Sequence, residues 1–110
     1  MTYKLFIDDE RDPVKVYGEF GLDMKVARTA LEAQLLVGTY GIPNFIGFDH
    51  DLGEGPSAFD FLKWLIQMDL DHDLITYPFR VNIHSANSVG SANIDGLIQG
   101  YFDHKFKRNK

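Results

Sequence analysis

Hydrophobic and polar positions are grouped along the chain in blocks of two kinds. Short apolar runs bounded by acids or turn residues read as buried strands: Tyr3 to Ile7, stopped by Asp8-Asp9-Glu10; Met24 to Ala27; Phe45 to Phe48; and Phe79 to Ile83, in which Arg80 and Asn82 alternate with apolar neighbours. Between them lie stretches with helical spacing. Val14 to Phe20 has room for only a turn or two. Thr29-Ala30-Leu31-Glu32 carries a capping-box signature and predicts a helix to about Thr39, ended by Gly41 and Pro43. Pro56-Ser57 opens a further helix with Phe61, Leu62, Leu65 and Ile66 on one face, and Ile94, Leu97, Ile98, Tyr101 and Phe102 form the stripe of a last one. The charged end of that helix is expected to fray, and Asp71-His72-Asp73 reads as a solvated loop.

Strands that alternate with helices imply parallel pairing through right-handed crossovers, with helices on both faces of the sheet. At 110 residues, 45% of them hydrophobic, the chain is long enough for one buried core. The reading is a single α/β domain over residues 1–104, followed by a basic tail at 105–110. No repeat or low-complexity tract interrupts it.

Charge narrows the partners. The net charge is −5, but Lys105, Lys107, Arg108 and Lys110 sit in the last six positions, so residues 1–104 carry seven bases against sixteen acids. So acidic a surface repels long duplex nucleic acid, whose binding depends on neutralising phosphates. The absence of cysteine removes disulfides, thiolate chemistry and cysteine-bound zinc. No apolar run approaches the roughly 20 residues of a membrane span, and Met1-Thr2-Tyr3-Lys4 does not read as a secretory signal, so the expected setting is cytoplasmic.

In open parallel sheets ligands bind beyond the carboxyl ends of the strands, and the chemistry-bearing residues collect there. The first strand ends in Asp8-Asp9-Glu10-Arg11, the second in Arg28, the third in Asp49-His50-Asp51 and the fourth in His84-Ser85-Ala86-Asn87. Asp8 and Asp9 alone could be a polar turn. With Asp49 and Asp51 arriving alongside, the acids cannot all stay ionised without a cation or shifted pKa values. A hard divalent ion held by carboxylate and carbonyl oxygens resolves the conflict: Mg²⁺ first, with Mn²⁺ or Zn²⁺ as alternatives. His50 and His84 read as acid/base groups in preference to metal ligands. Arg28, otherwise a surface ion pair, becomes a phosphate fork at this edge, with Arg11 a weaker candidate and Asn87 a further polar contact. Ser85 reads as a hydrogen-bond donor to a phosphoryl oxygen, because no Gly-x-Ser-x-Gly elbow surrounds it. Gly53-Glu54-Gly55 and Gly90 match neither a P-loop nor a dinucleotide fingerprint.

An acidic pair after strand one, an aspartate after strand three and a hydroxyl after strand four resemble the receiver domains of response regulators. The strings Leu5-Phe6-Ile7-Asp8-Asp9-Glu10-Arg11, Phe48-Asp49-His50-Asp51-Leu52-Gly53 and His84-Ser85-Ala86-Asn87, followed by Val89-Gly90, look like the cyclic-phosphate processing receiver-like family of bacteria and their phages. The resemblance implies a flavodoxin-like sheet of order 2-1-3-4 and hydrolysis of a cyclic phosphate, either a 2′,3′-cyclic RNA end or a cyclic nucleotide. It also implies that Asp9, Asp49 and the Asp51 carbonyl hold the metal with Asp8 in support, and that Ser85 takes the place of the receiver hydroxyl. Two departures stand out. Only one helix and the tail follow the fourth strand, so the fifth receiver strand and its lysine are expected to be missing, and Ala58 stands where the family would have glycine. The missing lysine counts against phosphotransfer signalling, and the added histidines His50 and His84 count towards hydrolysis. Two alternatives remain open, a signalling module phosphorylated on Asp49 and a binder that sequesters a cyclic nucleotide.

Overall fold

The computed structural model describes residues 2–49, 52–53, 55–84 and 88–107. Four strands, β1 (Lys4–Ile7), β2 (Lys25–Ala27), β3 (Phe45–Phe48) and β4 (Arg80–Ile83), form one parallel sheet in the order β2-β1-β3-β4. Helices α1 (Pro13–Tyr17), α2 (Ala30–Tyr40), α3 (Ala58–His72) and α4 (Ser88–Phe106) connect and follow them, with a 3-10 turn at Gly18–Gly21 after α1. The expected order 2-1-3-4 is the observed one. Among the described residues no fifth strand joins the sheet, and no helix is long and apolar enough to cross a membrane.

Local chemistry explains where the helices begin. Asp12 caps α1 by accepting from the Val14 N–H at 2.8 Å, with Pro13 in the first turn, where its missing N–H costs nothing. Thr29 caps α2 by accepting from the Glu32 N–H at 3.1 Å. The return arm of that box differs from expectation, since the Glu32 carboxylate accepts from Arg28 N–H at 2.8 Å and thereby ties the end of β2 to the helix. A reciprocal box instead opens α3: Ser57 and Asp60 each accept from the other's backbone N–H. Asp71 and His72 close α3 as its last turn, and Asp73 caps it in the left-handed region, φ 52°, so the expected loop is a helix terminus.

The two faces of the sheet are covered unequally. Strand alternation sends Leu5, Ile7, Ala27, Ile46 and Phe48 to one face, where α2, α3 and α4 cover them with Ala33, Phe61, Leu65, Ile94, Ile98 and Phe102. Phe6, Val26 and Phe45 point to the other, where among the described residues Met24 and the short segment Pro13–Gly21, through Val16 and Tyr17, pack against them. That segment folds back on itself tightly. A Cβ at Gly21 would lie 2.3 Å from the Pro13 carbonyl oxygen, so only glycine closes the turn.

The last helix continues through Lys105 and Phe106 instead of fraying earlier. Its end is anchored on Asp69, a carboxylate buried at the end of α3. Lys105 Nζ donates to Asp69 Oδ2 at 2.7 Å, to Asp73 Oδ1 at 2.9 Å and to the Ile75 carbonyl at 2.6 Å. The Tyr101 hydroxyl donates to the same carboxylate, and Ile75 N–H donates to Oδ1 at 2.6 Å. Burial raises the Asp69 pKa, but Lys105, Tyr101 and Ile75 N–H outweigh it and hold the carboxyl below its ordinary value. Burial together with the Asp69 charge pushes the Tyr101 hydroxyl up to about 12.

Asp69→Asn presents an amide N–H₂ where Lys105 and Tyr101 also donate, and should cost about 2 kcal/mol at neutral pH, on the order of 10 °C in Tm. Because the folded carboxyl titrates below the unfolded one, its contribution is complete above about pH 4 and is lost as pH falls through the folded value. The gap between wild-type and variant melting temperatures should therefore be constant near neutrality and close on acidification, as followed by circular dichroism.

Candidate metal and phosphate site

The parallel ladder carries the first residues beyond three strands into register. Asp8 N–H donates to the Ala27 carbonyl (3.1 Å), Asp49 N–H to the Ile7 carbonyl (2.8 Å) and His84 N–H to the Phe48 carbonyl (2.8 Å). Asp8, Asp49 and His84 thus sit side by side at one sheet edge, with Arg28 following β2 on the flank.

Asp8 is fully buried and surrounded by donors. Its Oδ1 accepts from the N–H groups of Glu10 and Arg11, both at 2.9 Å, which curls the chain into a tight acidic turn. Its Oδ2 faces His84 Nε2 at 3.0 Å and Arg11 Nη1 at 3.5 Å. Burial raises the Asp8 pKa, yet the Arg11 and Glu10 N–H bonds and the His84 ring lower it by more, so the carboxyl is held below its ordinary value. His84 also lies below its ordinary pKa, but for the opposite reason. Burial lowers its pKa, and the nearby Asp8 and Asp49 charges offset this only in part.

One carboxylate oxygen from each of Asp8, Asp9 and Asp49 lies within 4.8 Å of the others. Asp9 is exposed and Asp49 is buried, so the trio grades from interior to solvent. Gly53 lies against it, with a Cβ there 3.5 Å from Asp9 Oδ2. An all-oxygen donor set of this size and charge fits a hard divalent cation. Asp9 and Asp49 fit as its ligands. The oxygens of Asp8 are taken up by N–H groups, which suits it to holding the turn.

The arginines converge on the same turn. Arg28 Nη1 donates to the carbonyls of Asp8 (3.2 Å) and Arg11 (2.5 Å), stapling β2 to the acidic turn. Arg11 Nη1 reaches the His84 carbonyl at 3.2 Å. Among the described residues the hydrogen bonds of both guanidiniums to this turn run through Nη1, one atom of a five-donor fork.

The structure therefore brings together Asp8, Asp9, Asp49, His84, Arg11 and Arg28. His50, Asp51, Ser85 and Asn87 lie outside the described residues. Sequence reasoning missed Tyr17. Its hydroxyl lies 2.9 Å from both Asn82 Oδ1 and His84 Nδ1, and its ring occupies a slot over Gly47, where a Cβ would lie 2.6 Å from the hydroxyl oxygen. The available signal was Gly47 itself: a glycine inside the apolar run Phe45-Ile46-Gly47-Phe48 marks a close approach by another group. Burial pushes the Tyr17 hydroxyl well above its ordinary pKa, with the Asp8 charge adding to it.

Fold and site together define a receiver-like α/β domain with an acidic cluster at the carboxyl edge of its sheet. A family model described as the cyclic-phosphate processing receiver domain matches residues 3–100, and the chain belongs to that family. A solved chain described as a yeast Spc42 trimeric coiled coil, amino acids 181–211, fused to another structure, is similar in fold. It has a TM-score of 0.55 at 15% identity, covering 98% of this chain and 85% of that one. No curated protein matches the chain.

Within this cluster, neutralising neighbouring acids should have opposite effects on the metal-free protein. Asp9→Asn removes a like charge from an exposed position and should raise Tm. Asp8→Asn sets an amide N–H₂ against the His84 and Arg11 donors and should cost about 2 kcal/mol. Thermal melts in chelator, for both variants and wild type, check the two signs.

Proposed function

We propose that this domain is a metal-dependent phosphoesterase that opens a cyclic phosphate, either a 2′,3′-cyclic RNA end or a cyclic nucleotide. The observation that carries the proposal is the juxtaposition of the Asp8, Asp9 and Asp49 oxygens with two arginines at one sheet edge, in a chain of the cyclic-phosphate processing family. Acids alone would repel a phosphate and arginines alone would merely bind one. The pair of features suits a site that holds a cation and an anion together.

Asp9 and Asp49 are the proposed cation ligands, Mg²⁺ first and Mn²⁺ or Zn²⁺ as alternatives, with the Asp51 carbonyl as a further donor. When bound, such an ion supplies polarisation of a phosphoryl oxygen and a lowered pKa for water. The chain supplies the rest. Asp8 keeps the turn closed, and Arg11 and Arg28 present N–H donors to the charge that grows on the phosphoryl oxygens as the ring opens. Both ring nitrogens of His84 are engaged, by Asp8 and by Tyr17, and its side chain is only 6% exposed. Direct proton transfer to the leaving oxygen is therefore assigned to His50, next in sequence to Asp49, with Ser85 and Asn87 as polar contacts to the phosphate. The ligand is a small phosphorylated molecule or an RNA end.

The test is turnover of 2′,3′-cyclic and 3′,5′-cyclic nucleotides with Mg²⁺, Mn²⁺ and Zn²⁺, followed by product chromatography and mass spectrometry. Ring opening with at least one pair is expected, with Asp9→Asn and Asp49→Asn each losing metal affinity and rate. His50→Gln should keep metal affinity and lose about 10²-fold or more in rate. Folded protein that turns over no member of the panel with any metal would remove the enzymatic reading. Intact ligand recovered at stoichiometric occupancy would replace it with sequestration.

A further inference from the structure

We propose that Tyr17 is a positioning residue of this site: seated in the slot left by Gly47, its hydroxyl holds the His84 ring so that Nε2–H stays on Asp8, and it thereby fixes the carboxylate around which the acidic turn is built. Tyr17 comes from α1, on the thinly covered face of the sheet, and crosses β3 at the one strand position without a side chain. Its hydroxyl, with one proton and two lone pairs, bridges Asn82 on β4 and His84 just beyond it.

The hydrogen-bond accounting gives the arrangement its direction. An ionised carboxylate only accepts, so the His84 nitrogen 3.0 Å from Asp8 Oδ2 must carry the proton. The other nitrogen, Nδ1, then needs a partner of its own, because the ring is buried. It stacks on Phe6 at 4.9 Å and 4° and meets the edge of Tyr17 at 5.6 Å and 90°. The tyrosine hydroxyl meets that need by giving its one proton to Nδ1, and the Asn82 amide atom 2.9 Å from the hydroxyl must then be its N–H₂ end, donating to the hydroxyl oxygen. Without it, the ring is held at one end only, and rotation about Cβ–Cγ takes Nε2–H away from Asp8. Partners standing behind a metal site orient it in this way, and losing one typically costs 10–100-fold in metal affinity.

The functional half of this inference rests on the cation site proposed above, whereas the geometric half is read in the metal-free protein. In ¹⁵N-histidine-labelled wild type without metal, His84 should show one exchange-protected Nε2 proton. Tyr17→Phe, which keeps the ring and removes the hydroxyl, should lose that protection and bind Mn²⁺ about 10–100-fold more weakly by calorimetry. Gly47→Ala should reproduce both changes with the hydroxyl intact, because the new Cβ displaces it. A folded Tyr17→Phe protein that keeps either the protected proton or wild-type Mn²⁺ affinity overturns the inference. Wild type that binds no Mn²⁺ counts against the metal-dependent reading, and the protected proton then decides the role of Tyr17 by itself.

Discussion

The molecule depends on a buried anion at the end of its first strand. Asp8 is fully out of solvent, and an isolated carboxylate there would be prohibitively costly or would simply take up a proton. It is retained as an ion by two backbone N–H groups, an imidazole and a guanidinium. Each of those donors belongs to something else as well. The N–H groups define the turn that presents Asp9, the imidazole is the residue that ends β4's run, and the guanidinium also holds the His84 carbonyl. One charge thus organises the ends of β1 and β4, and Asp49 enters beside it through the β1–β3 ladder.

Unequal covering of the sheet makes this arrangement possible. Three helices bury one face under an aliphatic and aromatic core, which supplies most of the apolar burial. Among the described residues the other face carries the nine residues of α1 and its 3-10 turn, so it has room for polar side chains from β4 and for a tyrosine packed over Gly47 of β3. The stabilising Asp69–Lys105–Tyr101 network holds the ends of α3 and α4 together, at the termini opposite those that face the site. Structural and chemical polar clusters are separated by the length of the sheet.

Much of this was legible in the sequence, because the signals were local. Alternation of short apolar runs with helical stripes gave parallel pairing, the family resemblance gave the strand order, and the acids stood directly after the strands that deliver them. Thr29 announced its helix through a hydroxyl placed three residues before an acid, and Pro56-Ser57 marked the start of the next. What was hidden depends on contacts made across the fold. Nothing near Tyr17 in sequence says that it meets His84, 67 positions away. Arg28 read as a phosphate fork and also proves to be a staple on two main-chain carbonyls, a role set by the β1–β2 register. Lys105 read as tail and is the anchor of α4, because its partner Asp69 lies 36 positions earlier.

The central claim is that the acidic turn and β3 together form one divalent-cation site. Anomalous scattering from crystals grown with Mn²⁺ tests it most directly. The account predicts one dominant peak at coordination distance from the carboxylates of Asp9 and Asp49, with Asp8 still bonded to the Glu10 and Arg11 N–H groups. A map with no peak there, or with its dominant peak among other acids such as Asp71 and Asp73, would contradict it.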